Sequence, residues 1–261
     1  MGLEYAAELW SRRELLYFLA WRDIKVRYKQ AALGMTWAII QPLFTMIVFS
    51  IFFGRLAQIP SDGLPYPLFS YSALLLWMYF TVTLGLAGNS LVGNTNLITK
   101  VYFPRVLMPA AAALAGVLDV LIGSILLAAL MVYYGIGLTW TALLTPLFIL
   151  HLFLLTIGLS MLLAAMNVRY RDVKYVVPFL TQIWLFVTPI IYPVGFIPER
   201  YQWLLALNPV TGIIEGFRSS LLGARPIDWE VVLISWVITI LILVVGALYF
   251  RKTEKEFADI V

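Results

Sequence analysis

Apolar runs close to 20 residues long, separated by charged or turn-forming segments, leave this chain few ways to fold. They lie at about 35–54, 66–91, 106–134, 142–166, 175–193 and 231–250. A hydrocarbon core about 30 Å thick takes roughly 20 helical residues to cross, and lipid obliges each crossing backbone to satisfy its own hydrogen bonds. The expectation is an all-α polytopic membrane protein with six transmembrane helices. Composition agrees, since 62% hydrophobic and 12% charged residues over 261 positions lie outside the range of soluble domains. A formal charge of +4 would suit nucleic acid, but the cations flank apolar runs, so no nucleic-acid partner is expected. The absence of cysteine removes disulfides and thiolate metal sites, and no short basic stretch with a small-residue cleavage site precedes the first run.

An even number of crossings puts both termini on one side. With the termini cytoplasmic, only Arg55, Arg200, Arg218 and Arg225 of the 18 Lys and Arg lie outside, and that bias predicts cytoplasmic termini. The chain reads as one membrane unit over 1–261: an interfacial segment to about 34, the membrane part from 35 to 250, and a cytoplasmic tail from 251.

The segment Arg12 to Gln41 passes without a linker from a basic, aromatic-studded stretch into the first span. On a helical wheel Tyr17, Trp21, Ile24 and Tyr28 fall within about 60°, while Arg22, Lys25 and Lys29 share a neighbouring face, with Arg27 adding a cation. That pattern predicts a helix lying in the membrane surface. Leu15, Leu16 and Leu19 point to nearly the opposite side, so the helix either breaks near Leu19 or is wedged between lipid and protein.

Trp37, Gln41, Phe44, Val48 and Arg55 form one stripe on span one, and Pro42 frees the Ala38 carbonyl. Thr181, Leu185, Thr188 and Tyr192 share a face of span five with Gln182 beside them, and Pro189 is expected to kink it. Each stripe is read either as a pathway lining or as a helix-packing face. Asp119 in span three and His151 in span four are the ionisable groups within the spans. An intramembrane carboxylate implies a partner. Counting rise per residue puts the two roughly 9 Å apart in depth, which favours separate polar contacts over a proton relay. Ala112, Gly116 and Ser124 predict close helix packing.

Between spans two and three, residues 94–105 read as a short helix with Asn94 as cap, Pro104 as stop, and an apolar edge of Leu97, Val101 and Tyr102 beside Lys100. Outside, Tyr201 to Leu207 and Thr211 to Leu222 read as two half-helices, the second capped by Asn208 with Pro209 at its first position. Glu215 and Arg218 are expected to pair on its surface. Too short to span, these helices are expected to dip into the outer leaflet and frame a vestibule. No phosphate-binding loop, nucleophile elbow or metal-spaced cluster occurs, so no catalytic residue and no cofactor are assigned to this chain.

Four segments carry a resemblance: RDIKVRYKQAALGMTWAIIQPL at 22–43, NLITKVYFPRVLMP at 96–109, NVRYRDVKYVVPF at 167–179 and NPVTGIIEGFRSSLLG at 208–223. In this order and spacing the chain resembles the permease subunits of type-2 ABC exporters that move polysaccharides such as O-antigen, teichoic acid and capsule. The resemblance implies a bacterial inner-membrane protein. It implies a second copy of the chain and two ATP-binding cassette subunits holding ATP and Mg²⁺, with a lipid-linked polysaccharide as substrate. It further implies that the interfacial helix and Asn96, Leu97, Lys100, Val101, Tyr102 and Arg105 face the ATPase, and that spans one and five line the channel. A permease for drugs or lipids, and a membrane-embedded transferase, are the competing readings.

Overall fold

The computed structural model describes residues 10–29, 34–254 and 257. The start of the expected interfacial segment, its 30–33 stretch and most of the tail past 254 lie outside the described residues. Among the described residues every regular element is helical. In chain order these are α1 (Arg13–Lys29), α2 (Trp37–Phe49), α3 (Tyr66–Gly88), α4 (Thr95–Lys100), α5 (Leu107–Tyr133), α6 (Thr145–Arg169), α7 (Val173–Val187), α8 (Glu199–Ala206), α9 (Pro209–Leu222) and α10 (Trp229–Thr253). A 3₁₀ turn, Gly34–Thr36, opens α2 and a π-helical stretch, Ser50–Leu56, continues it.

Five helical stretches are long and apolar enough to cross a membrane: Gly34–Leu56, Tyr66–Gly88, Leu107–Tyr133, Trp140–Arg169 and Trp229–Thr253. These match five of the expected spans. α7 is apolar but has 15 residues, a length of about 22 Å. It stops because Thr188 leaves helical geometry, with ψ 140; the ring of Pro189 pushes the preceding residue toward extended backbone. Pro189 therefore ends the helix, where a kink was expected.

α3 is the most enclosed of the five long apolar stretches, packed against α2, α5, α6, α7 and α9. Three of its tyrosines bury their phenols, and each finds a carbonyl: Tyr66 donates to Ile191 O (2.8 Å), Tyr71 to Gly123 O (2.9 Å) and Tyr79 to Ala113 O (3.2 Å). An unpaired hydroxyl there would carry its full desolvation penalty. Gly116 lets α5 close onto α3, because a Cβ there would meet Thr83 and Tyr79. Ala112 is buried on the same helix, whereas Ser124 turns its hydroxyl back to Val120 O. One tight helix crossing was not anticipated: a Cβ on Gly246 of α10 would overlap the backbone of Gly158 on α6. Without a hydrophobic drive between helices in lipid, such small-residue contacts are what packing relies on.

α1 is one unbroken helix, which decides between the two sequence readings. Leu19 and Ala20 are buried, in a cluster with Leu91, Ile98, Phe103, Leu107, Met108 and Phe250. Tyr17, Phe18 and Trp21 are exposed away from that cluster, and Val26 is exposed farther along the helix. The helix is wedged between the bundle and its surroundings.

Candidate functional site

α2 and α7 flank α3, and a groove runs along the α3 face between them. A cavity of about 260 Å³ lies on the α2 side, lined by Arg27, Tyr28, Trp37, Gln41, Val82 and Asp119 among others. One of about 290 Å³ lies on the α7 side, lined by Trp77, Thr81, Val82, Thr181, Gln182 and Leu185 among others. Val82 borders both, so the two hollows adjoin on α3.

The span-one stripe keeps its register through α2: Trp37, Gln41, Phe44 and Val48 are exposed while Met46, on the opposite side, is buried. Trp37 and Gln41 enter the first hollow. Arg55 leaves the line, because the π turns of Ser50–Leu56 advance less per residue than α turns. Gly54 in that stretch rests on the Tyr66 ring, where any side chain would collide.

On α7 the expected face divides. Thr181 and Gln182 reach the second hollow. Thr188 does not: it is buried, donates to Trp184 O (2.9 Å) and accepts from Asn208 Nδ2 (2.9 Å). Tyr192 curls back to donate to Phe186 O (3.0 Å). Both lie beyond the end of the helix, so the helical spacing that grouped them with Thr181 does not apply.

Asp119 has its partner in an unexpected place. Its two carboxylate oxygens accept from the Arg27 guanidinium and the Tyr28 hydroxyl, both on α1. Arg27 and Asp119 are each 22% exposed and border the first hollow. His151 belongs to a separate network between α6 and α10: it is buried, stacks on Trp236 with ring centroids 3.9 Å apart, and sets Nε2 3.0 Å from Thr239 Oγ1.

At the end of the bundle where α10 finishes, α4 is shorter than its sequence suggested. Asn94 supplies no cap; its amide donates to Ser90 O (2.8 Å). Ile98 and Phe103 pin the segment into the bundle. Asn96, Lys100 and Val101 are exposed, Leu97 is half-buried, and Tyr102 stands out at 88% exposure. Arg105 is engaged elsewhere: its backbone N–H donates to Glu254 Oε1 (2.8 Å) and its guanidinium to the Glu254 carbonyl. It ties the α4 segment to the end of α10. On α1, Lys25 lies 5.4 Å over the Trp21 ring, Arg22 pairs with Asp23 (2.8 Å), and Lys29 is exposed.

On the other side α8 and α9 form as the sequence indicated. The Asn208 side chain caps Val210 N (3.1 Å), Pro209 opens α9, and Gly223 closes it with φ +64. Glu215 and Arg218 pair, but not on the surface. The Arg218 side chain is 4% exposed, donates to Phe69 O (3.3 Å) and Pro189 O (3.2 Å), and lies 3.7 Å over the Phe69 ring.

Residues 14–222, most of the chain, match the model of the ABC-2 type transporter family. The chain belongs to that family. It is 28% identical over 255 residues to the O-antigen export system permease protein RfbA of Myxococcus xanthus, covering 97% of each chain. A relative of the same description in Klebsiella pneumoniae is 28% identical over 264 residues, covering 100% of both. The polysialic acid transport protein KpsM of Escherichia coli is 20% identical over 244 residues, covering 90% of this chain and 91% of that one.

As an ABC-2 family member the chain is a multi-pass transport permease and not an enzyme, and ATP hydrolysis in this family resides in a separate subunit. The groove is where residues of the two expected stripes come together. Sequence reasoning found its rim at Trp37, Gln41, Thr181 and Gln182 but missed its floor, Met78, Val82 and Gly85 of α3. Those residues carry no polar mark in an otherwise enclosed helix. It also missed the Arg27 to Asp119 pair, although both members were visible as charges in need of partners.

Proposed function

We propose that this chain is the permease subunit of an ATP-driven exporter that carries a lipid-linked polysaccharide across the bacterial cytoplasmic membrane. Two copies form one pathway above two ATP-binding cassette subunits, which hold ATP and Mg²⁺. Each copy crosses six times as a single membrane unit, with α7 as the fifth, shorter crossing and both termini cytoplasmic; the distribution of Lys and Arg supports this orientation. The observation that carries the reading is the end-to-end similarity to O-antigen export permeases.

The geometry fits this work. The α2 and α7 faces beside α3 are open in the single chain, and a second copy would convert two grooves into one conduit. Its walls carry indole, phenyl and amide groups at Trp37, Phe44, Gln41 and Gln182, which suit pyranose faces and hydroxyls without fixing charge. The exposed edge at Val101 and Tyr102, with the basic face of α1, supplies the surface for the ATPase. The re-entrant α8 and α9 frame the exit.

Reconstitution tests the reading. The chain should copurify with its ATPase, and a lipid-linked glycan should stimulate hydrolysis by the complex. Cells without the permease should accumulate that glycan on the cytoplasmic leaflet. Stimulation by hydrophobic drugs or phospholipids, with none by any lipid-linked glycan, would overturn the assignment.

A further inference from the structure

Outside the groove, a cavity of about 660 Å³ opens between α8, α9 and the start of α10. Its size falls within the roughly 300–1,000 Å³ of small-molecule pockets. Trp203, an exposed indole, forms part of its rim. Thr211 lies on its lining at 1% exposure, and its Oγ1 is a buried hydroxyl with no hydrogen-bond partner. Buried hydroxyls are ordinarily paired, so this one is an unsatisfied polar group in the cavity wall.

The remaining polar groups are biased in one direction. Glu215, Asp228 and Glu230 line the cavity with Arg225; Glu215 is paired with Arg218, and the Arg225 guanidinium is held by Asp62 at 2.6 Å, which leaves Asp228 and Glu230 as its unpaired charges among the described residues. Gln202 gives an amide N–H to Ile197 O (2.9 Å), which leaves its carbonyl to accept. Asp228 spends Oδ1 on the first N–H groups of α10 and keeps the second oxygen. The cavity thus combines an aromatic face with acceptors in excess of donors and more negative than positive charge.

We infer that it is an outer glycan subsite, taking a neutral sugar unit of the emerging polymer and turning away anionic ones. A neutral pyranose brings hydroxyl donors for the spare acceptors and an apolar ring face for Trp203. An acyl chain would desolvate the carboxylates without replacing their hydrogen bonds. A uronic or sialic acid unit would meet Asp228 and Glu230, with Arg225 engaged by Asp62 and Glu215 and Arg218 engaged with each other. The inference rests on the polysaccharide reading above and adds to it a place and a charge preference.

The test uses the permease–ATPase complex in lipid nanodiscs, with mannotriose and maltotriose as neutral probes and trigalacturonate as the anionic one, followed by saturation-transfer NMR. At least one neutral trisaccharide should bind, and trigalacturonate should bind more weakly. Trp203→Ala should weaken neutral binding roughly two- to tenfold, and Glu230→Gln should narrow the gap between neutral and anionic probes. Thr211→Val should also weaken binding, yet leave the thermal midpoint of the sugar-free complex unchanged or raised, because it removes an unpaired hydroxyl. No neutral binding to the wild type, equal binding of the anionic probe, or binding unaffected by both Trp203→Ala and Thr211→Val would overturn the subsite. In that event lipid-linked glycan should still stimulate ATP hydrolysis by the wild type; loss of that stimulation is the separate result that removes the exporter reading itself.

Discussion

Removing either member of the Arg27 to Asp119 pair should have unequal consequences. Breaking a fully buried ion pair costs about 3–5 kcal/mol through the charge left behind. Here both side chains are 22% exposed, which lowers the figure, and their freedom to escape differs. Arg27 sits on α1, whose outer face is open, so in Asp119→Asn the guanidinium can turn outward while Tyr28 keeps an oxygen acceptor; the cost should be about 1–2 kcal/mol. Asp119 is fixed within a crossing helix, so Arg27→Gln leaves a carboxylate that must protonate or stay uncompensated, at about 2–4 kcal/mol. The double replacement should be more stable than Arg27→Gln alone. Thermal unfolding of the permease–ATPase complex reads these differences, since 1 kcal/mol shifts the midpoint of a chain this size by roughly 2–4 °C. Export should survive Asp119→Asn. Strictly additive effects would refute the pairing, and an assembled, ATPase-coupled Asp119→Asn protein that no longer exports would assign the carboxylate a titrating role in transport.

Three further expectations follow from the geometry. Single cysteines at Trp37, Gln41, Phe44 and Val48, introduced into a chain that has none, should react with a water-soluble thiol reagent in a nucleotide-dependent way, while one at the buried Met46 stays silent; a silent stripe in every state would make it a packing face. Tyr102→Asp should uncouple ATP hydrolysis from export without loss of permease, whereas Ile98→Asp should lower the amount of folded protein; unimpaired export by the Tyr102 variant would remove α4 from the coupling path. Gly246→Ala should destabilise by about 1–3 kcal/mol through contact with Gly158, and Gly246→Leu should prevent stable assembly, both measurable by size-exclusion chromatography after heating.

How far the sequence reached depends on the range of the interaction concerned. Five of the six span positions and the Asn208 and Pro209 start of α9 were legible because hydropathy and capping are local. The α2 stripe held its register for the same reason, until the π turns at Gly54 displaced Arg55. Failures began where a local rule met a neighbour. Asn94 reads as a cap yet turns to Ser90; Thr188 reads as pathway yet serves Asn208; Arg105 reads as a docking cation yet is held by Glu254. Arg218, taken for a surface partner of Glu215, is buried because the Phe69 ring and two carbonyls satisfy it, and none of these is visible in the spacing of α9.

The enclosure of α3 has a kinematic consequence. A helix packed on nearly all sides, with three phenols bonded to neighbouring backbones, cannot shift without repacking those neighbours together. It is placed to act as a fixed axle, and the conduit proposed above would then change width through the outer helices swinging about it. At interaxial distances of 8–10 Å, each 10° of swing moves a facing wall by about 1.5 Å, so the bore is governed by the angles that α2 and α7 make with a stationary α3.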